Sequence, residues 1–110
     1  MAGTLGMRAI LASDACAIVA EHKGEVCGLL IGAIEPWPFL KWKVASDIVT
    51  YATLPGAGRE LLLQFELWAT FRGADEMILG VTFGGRDLTA LYERRGFKKL
   101  GGMFKKTIRG

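Results

Sequence analysis

Histidine occurs once in these 110 residues and cysteine twice. His22, Cys16 and Cys27 are too few and too scattered for a tetrahedral zinc site, so no metal is expected. The two cysteines fall on the arms of an expected hairpin but not opposite each other. That argues against a disulfide and for two small, buried apolar side chains. No apolar run approaches the roughly 18 residues of a membrane span. The opening MAGTLGMRAILASDACAIVA lacks the basic start and long apolar stretch of a secretory signal. The sequence therefore reads as cytoplasmic, with no membrane contact. Repeats, linkers and low-complexity segments are missing too, and 110 residues suit one domain spanning 1–110.

What is present is mostly apolar. Hydrophobic residues make up 51% of the chain and the mean hydropathy is +0.29, enough for a core and too much for disorder. The net charge is +3, with basic residues crowded near the end: Arg94, Arg95, Lys98, Lys99, Lys105, Lys106 and Arg109. Such a patch meets nucleic acid, an acidic partner or a phosphorylated ligand, or is the solvated face of edge strands. No aromatic residues interleave with it as on a nucleic-acid stacking platform, which makes nucleic acid the weaker expectation.

Met1 to Leu11 gives little pattern. Ala15–Glu35 reads as a hairpin turning at Lys23-Gly24. Pro36–Trp42, PWPFLKW, reads as an aromatic loop, and Lys43–Ala52 as a β-branched strand. Ala57–Arg72 is the strongest helix: Leu61, Leu62, Phe65, Trp68 and Ala69 share one face, and Gly73 stands where a terminating glycine belongs. Met77–Phe83 is a continuous apolar run of buried-strand type. Arg86–Arg95 reads as a short helix capped by Asp87 and ended by Gly96. Phe97–Arg109 forms a last strand or strand pair around Gly101-Gly102. The order β-β-β-α-β-α-β, with room for one more strand, predicts an α/β fold: a mixed sheet flanked by helices, with a parallel strand–helix–strand crossover.

One stretch carries the chemistry. In LPGAGRELLLQF (Leu54–Phe65) a proline and two glycines run from a strand into a helix. The leading N–H groups of a helix lack internal partners, the helix dipole is positive there, and glycines let an anion approach the backbone. The amides of Gly56, Ala57, Gly58 and Arg59 could hold a pyrophosphate, whereas Pro55 cannot donate. A Gly-x-Gly before a helix is equally an ordinary sharp turn.

Two motifs carry a family resemblance. Thr53-Leu54-Pro55-Gly56-Ala57-Gly58 resembles the Arg/Gln-x-x-Gly-x-Gly/Ala turn of the GNAT superfamily of N-acetyltransferases, with Thr53 in place of the leading Arg/Gln. LYERRGF (Leu91–Phe97) resembles the family's Leu-Tyr-x-x-x-Gly-Phe, with Gly85 where the family often carries an asparagine. The resemblance implies an acetyl-CoA site, with acetyl-CoA as cosubstrate and no metal. Leu54 and the turn amides would hold the pyrophosphate, and the splayed strand edge at Val49 and Tyr51 would pair with the pantetheine. Tyr92 would protonate the departing thiolate.

Aminolysis of a thioester often needs a carboxylate or water to take the amine's proton, and the resemblance implies a Glu or Asp on the strand before the turn. Asp47 fits that place, with Glu35 second, and Asp47 is equally readable as a solvated strand residue. Family members open with a strand and two helices that wall the amine site, whereas only Met1–Asp14 precede the hairpin here. The chain is therefore read as N-terminally reduced. Either Met1–Leu11 supplies a strand, a partner chain completes the fold, or the acceptor site is gone. It is similar to short acetyltransferase-like proteins of tailed phages.

Trp37, Phe39 and Trp42 would line a pocket or bury in a homodimer or larger assembly, the second being favoured. The expected function is acetyl transfer from acetyl-CoA to a primary amine of unknown identity. The alternative is a catalytically silent structural or virion-assembly module on the same fold.

Overall fold

The structure, a computed structural model, describes residues 5–36, 41–80 and 86–108. Among these residues seven strands form one sheet in the order β1-β2-β3-β4-β5-β7-β6, with two helices. The strands are β1 (Gly6–Leu11), β2 (Ala15–His22), β3 (Glu25–Pro36), β4 (Lys43–Ala52), β5 (Glu76–Gly80), β6 (Lys98–Leu100) and β7 (Met103–Thr107); the helices are α1 (Ala57–Phe71) and α2 (Thr89–Arg94). The patternless start thus becomes an edge strand, which answers one of the three readings of Met1–Leu11. The last part of the expected strand Met77–Phe83 lies outside the described residues, and the second helix is shorter than expected.

Lys23 and Gly24 take φ values of 53° and 80° between the paired residues His22 and Glu25, a two-residue hairpin turn whose twist matches its strands. Both cysteines are free and buried. Burial pushes the Cys16 thiol pKa up, and a backbone hydrogen bond with Gly32 partly offsets that.

β4 and β5 are parallel, joined by α1. β6 is antiparallel to β7, which is antiparallel to β5, so β5 and β6 are also parallel, joined by α2. Two right-handed crossovers advancing in the same direction place their helices on the same face. The contacts agree: Glu66 of α1 pairs with Arg95, just past α2, and with Lys106 of β7. The expected mixed sheet flanked by helices is thus present, with both described helices on one face.

α1 buries Leu61, Leu62, Phe65 and Trp68, each burial stabilising by about 2 kcal/mol. It settles close to the sheet because β3 offers glycines beneath it. A Cβ at Gly28 would come 2.8 Å from Leu61 Cδ1, and one at Gly32 would come 2.8 Å from Phe65 Cε1 and 3.2 Å from the Ser46 carbonyl oxygen. Trp68 Nε1 donates to the Ala12 carbonyl at 2.9 Å, tying the helix to the β1–β2 connection. The opposite sheet face carries Val19, Leu29, Ile31 and Val49, partly open among the described residues.

Candidate functional site

β4 ends at Ala52, and Thr53 is fastened to β3 through its N–H and hydroxyl, both donating to the Cys27 carbonyl. The chain then turns through Leu54-Pro55-Gly56 into α1. Gly56 has φ 87°, a left-handed value that a side chain would strain, and it stands at the helix N-cap. Ala57 N–H is taken by the Leu54 carbonyl at 3.2 Å. The leading amides of Gly58 and Arg59 have no intrahelical acceptor and point out of the helix start. Of the amides expected to face an anion, Ala57 is thus partly diverted.

Gly58 is glycine for a reason the sequence did not reveal. Its missing Cβ would sit 2.7 Å from Leu88 Cδ2 and 3.3 Å from Leu88 Cδ1. Leu88, immediately before α2, is 6% exposed and rests on the bare backbone of α1. The leading ends of the two helices are thereby brought together. Between them lies a cleft of about 250 Å³ walled by Leu54, Pro55, Gly56, Gly58, Arg59, Arg86, Asp87, Leu88, Ala90, Leu91 and Arg94. Three arginines and one aspartate line it, and Arg59 Nη1 also pairs with Glu60 at 3.5 Å. Asp87 accepts from the Thr89 N–H at 2.9 Å, which holds its pKa below the usual carboxylate range. Outward amides and a surplus of arginine suit a phosphate-rich anion. Sequence reasoning had counted Arg94 only with the basic end of the chain and had missed Arg86 altogether.

The second feature is an opening beside β4. The parallel ladder with β5 covers only Val44↔Glu76, Ala45↔Met77 and Ser46↔Ile78. On the other side of β4, Gly32 pairs with Asp47 and Ile31 with Val49, so Ile48 is an extra residue in a bulge. Asp47 stands where bulge and divergence begin. Its Oδ1 accepts from the Gly80 N–H at 2.9 Å and its Oδ2 from the Thr50 hydroxyl at 2.7 Å. Beyond it β4 stays paired with β3, but among the described residues nothing pairs with it on the β5 side until the Ala52 carbonyl accepts from the Arg86 N–H at 2.8 Å. The Thr53–Cys27 bond sets the alternation on β4: Val49 and Tyr51 direct their main-chain groups at β3, and Thr50 directs its own into the opening. The edge expected at Val49–Tyr51 is therefore offered by the residue between them.

Tyr92 is 1% exposed, with its ring edge-on to Phe104 at 5.1 Å and beside Phe97 at 5.9 Å. The spacing of LYERRGF has a structural cause. Gly96 takes φ 89°, the Phe97 N–H returns to the Tyr92 carbonyl and the Gly96 N–H to the Glu93 carbonyl. This is a Schellman cap, whose two flanking apolar residues touch across it. The first helix closes the same way, with Gly73 at φ 78°, Ala74 N–H on the Ala69 carbonyl and Gly73 N–H on the Thr70 carbonyl.

Glu35 is exposed on β3, and His22 is half-buried at the hairpin end. Trp37, Phe39 and Gly85 lie outside the described residues; Trp42 is half-buried. Part of the basic end is neutralised: Lys105 pairs with Glu76, and Arg95 and Lys106 share Glu66. Among the described residues no helix is long and apolar enough to cross a membrane, and no group of three or more metal-ligating side chains gathers.

The seven-stranded, mostly antiparallel mixed sheet with a parallel crossover and two helices is a GNAT-like α/β fold. Solved structures similar to it are acetyltransferases. A Pyrococcus furiosus protein assigned as an acetyl transferase shares 26% identity at TM-score 0.64, over 80% of this chain and 62% of its own. A GNAT-family acetyltransferase from Streptococcus pneumoniae shares 16% identity at TM-score 0.70, over 88% of this chain and 69% of its own. The PaiA N-acetyltransferase of Thermoplasma acidophilum, in complex with coenzyme A, shares 21% identity at TM-score 0.63, over 86% of this chain and 61% of its own. The chain thus spans roughly three fifths to two thirds of the length of these neighbours. No family model and no curated protein matches the sequence.

Proposed function

We propose that this chain binds acetyl-CoA and transfers the acetyl group to a primary amine. The observation that carries the reading is the arginine-walled cleft at the joined leading ends of α1 and α2, beside an opening in the sheet. The amides of Gly58 and Arg59, with the left-handed Gly56 giving backbone access, take the pyrophosphate. Arg59, Arg86 and Arg94 supply the countercharge. The Thr50 main chain accepts and donates to the pantetheine amides, holding the thioester in the opening.

The amine must arrive neutral, so a proton leaves the ammonium before attack. Its nitrogen then adds to the thioester carbonyl carbon and gives up one proton to water, the C–S bond breaks, and the sulfur departs with the bonding pair as a thiolate that takes a proton from an acid, which water reprotonates. Tyr92 is the acid assigned to that step. Its ring packs against Phe97 and Phe104, and its hydroxyl is buried with it.

Release of CoA thiol from acetyl-CoA in the presence of a panel of primary amines tests this reading. We expect at least one amine to be acetylated, and Tyr92→Phe to slow the release by about a hundredfold with acetyl-CoA affinity kept. Tyr92→Phe at full rate would remove the tyrosine from the mechanism. The tight burial of Tyr92 favours a second reading, a catalytically silent assembly module on this fold. A large assembly with no thiol release from any amine would support that instead.

A further inference from the structure

We infer that Asp47 is a positioning residue that sets the thioester opening, and is not the base its place on β4 suggests. The inference rests on the acetyl-CoA reading for its functional part and on geometry alone for its structural part. Three distortions meet at this carboxylate. β4 and β5 stop pairing after Ser46↔Ile78, β4 bulges at Ile48, and the Gly80 N–H turns to a side chain for its acceptor. Oδ1 holds β5 at the point of divergence, and Oδ2 holds the Thr50 hydroxyl across the bulge.

Thr50 is 7% exposed, so its hydroxyl needs this acceptor. Each oxygen accepts from a protein donor, and taking a proton from an amine would weaken its hold on β5 or the bulge. The bond from Arg86 N–H to the Ala52 carbonyl marks the far end of the same opening. Between these two fastenings, Asp47 and Ala52, lies a stretch of β4 edge of about 17 Å, taking about 3.3 Å per residue. Within it the Thr50 main chain faces outward. The Asp47 bonds fix the direction of that edge and so decide whether an extended amide-bearing chain can pair with it.

The test compares Asp47→Ala, Asp47→Asn and Thr50→Val in the full chain. NMR follows hydrogen exchange of the Gly80 amide, and calorimetry follows binding of acetyl-CoA and of adenosine 3′,5′-diphosphate. The latter carries phosphates for the cleft but no pantetheine for the strand edge. In Asp47→Ala the Gly80 amide loses protection, acetyl-CoA affinity falls about tenfold or more, and the diphosphate stays within about twofold. Asp47→Asn keeps both affinities within about threefold, because its side-chain carbonyl still accepts from Gly80 and its amide can donate to Thr50 Oγ1. Thr50→Val, which spares the Gly80 bond, weakens acetyl-CoA and not the diphosphate.

An unchanged Gly80 amide and unchanged acetyl-CoA affinity in Asp47→Ala would overturn the inference. So would Asp47→Asn that binds acetyl-CoA normally but loses acetyl transfer, the signature of a base. If the native chain bound neither ligand, the acetyl-CoA reading would fail, while the Gly80 exchange would still decide the structural part. An Asp47→Ala chain that does not fold leaves the other two variants to decide.

Discussion

Gly58→Ala separates the two reasons a glycine can stand in the turn. In a helix, alanine for glycine normally stabilises by about 0.4–1 kcal/mol. Here the new Cβ would lie 2.7 Å from Leu88 Cδ2 with Cδ1 at 3.3 Å, so the buried Leu88 side chain would have to shift off the helix. Overpacking of this kind costs about 1–3 kcal/mol. The net expectation is a loss of about 1 kcal/mol, which for a domain of this size lowers Tm by about 4 °C. Leu88→Ala alone should cost about 2–4 kcal/mol as a buried truncation. In that background Gly58→Ala should turn stabilising by about 0.5 kcal/mol, since the clashing methyls are gone. Urea unfolding of the four chains of the cycle measures the coupling, expected at about 1.5 kcal/mol. Gly58→Ala stabilising equally with and without Leu88 would refute the argument and leave ligand approach as the reason for the glycine.

Glu66, with its side chain 11% exposed, holds both Arg95 at 2.9 Å and Lys106 at 3.1 Å. Both partners are about one third open, so Glu66→Gln should cost only about 1–2 kcal/mol in urea unfolding, and less in 1 M salt. Asp87 has its pKa lowered in the folded chain by the Thr89 N–H. Its hold on the start of α2 is therefore complete above the usual carboxylate range and is lost as pH falls through the lowered value. The Thr89 amide shift should report this transition in an NMR titration, and Asp87→Asn should keep the turn but flatten the pH dependence. A Thr89 shift that does not follow acidification would contradict the assignment.

The elements with strong local signals were readable. The Lys23-Gly24 hairpin, the amphipathic face of α1 and its terminating Gly73, and the pair of closing strands at Gly101-Gly102 all depend on neighbours in sequence. β1 was not readable, because Arg8 and Ile10 stand on an edge where burial imposes no alternation. The strand-to-helix turn at Gly56 was readable, yet Gly58 answers to Leu88, thirty residues away, a contact no local pattern encodes. LYERRGF is partly a helix-cap signature, with Tyr92 and Phe97 touching across Gly96, so its spacing speaks for the fold before it speaks for catalysis. Asp47 was readable as a carboxylate on the right strand. Its two acceptors' roles depend on Gly80 and on a bulge, and both are tertiary.

Isothermal titration of the full chain with acetyl-CoA, repeated with Gly56→Asp and Arg86→Glu, tests the central claim most directly. Micromolar binding, weakened about tenfold or more by either substitution and falling as salt is raised, is the predicted result. A folded chain that shows no heat at millimolar acetyl-CoA would mean that the turn only joins a strand to a helix, and the acetyl-CoA account would be wrong.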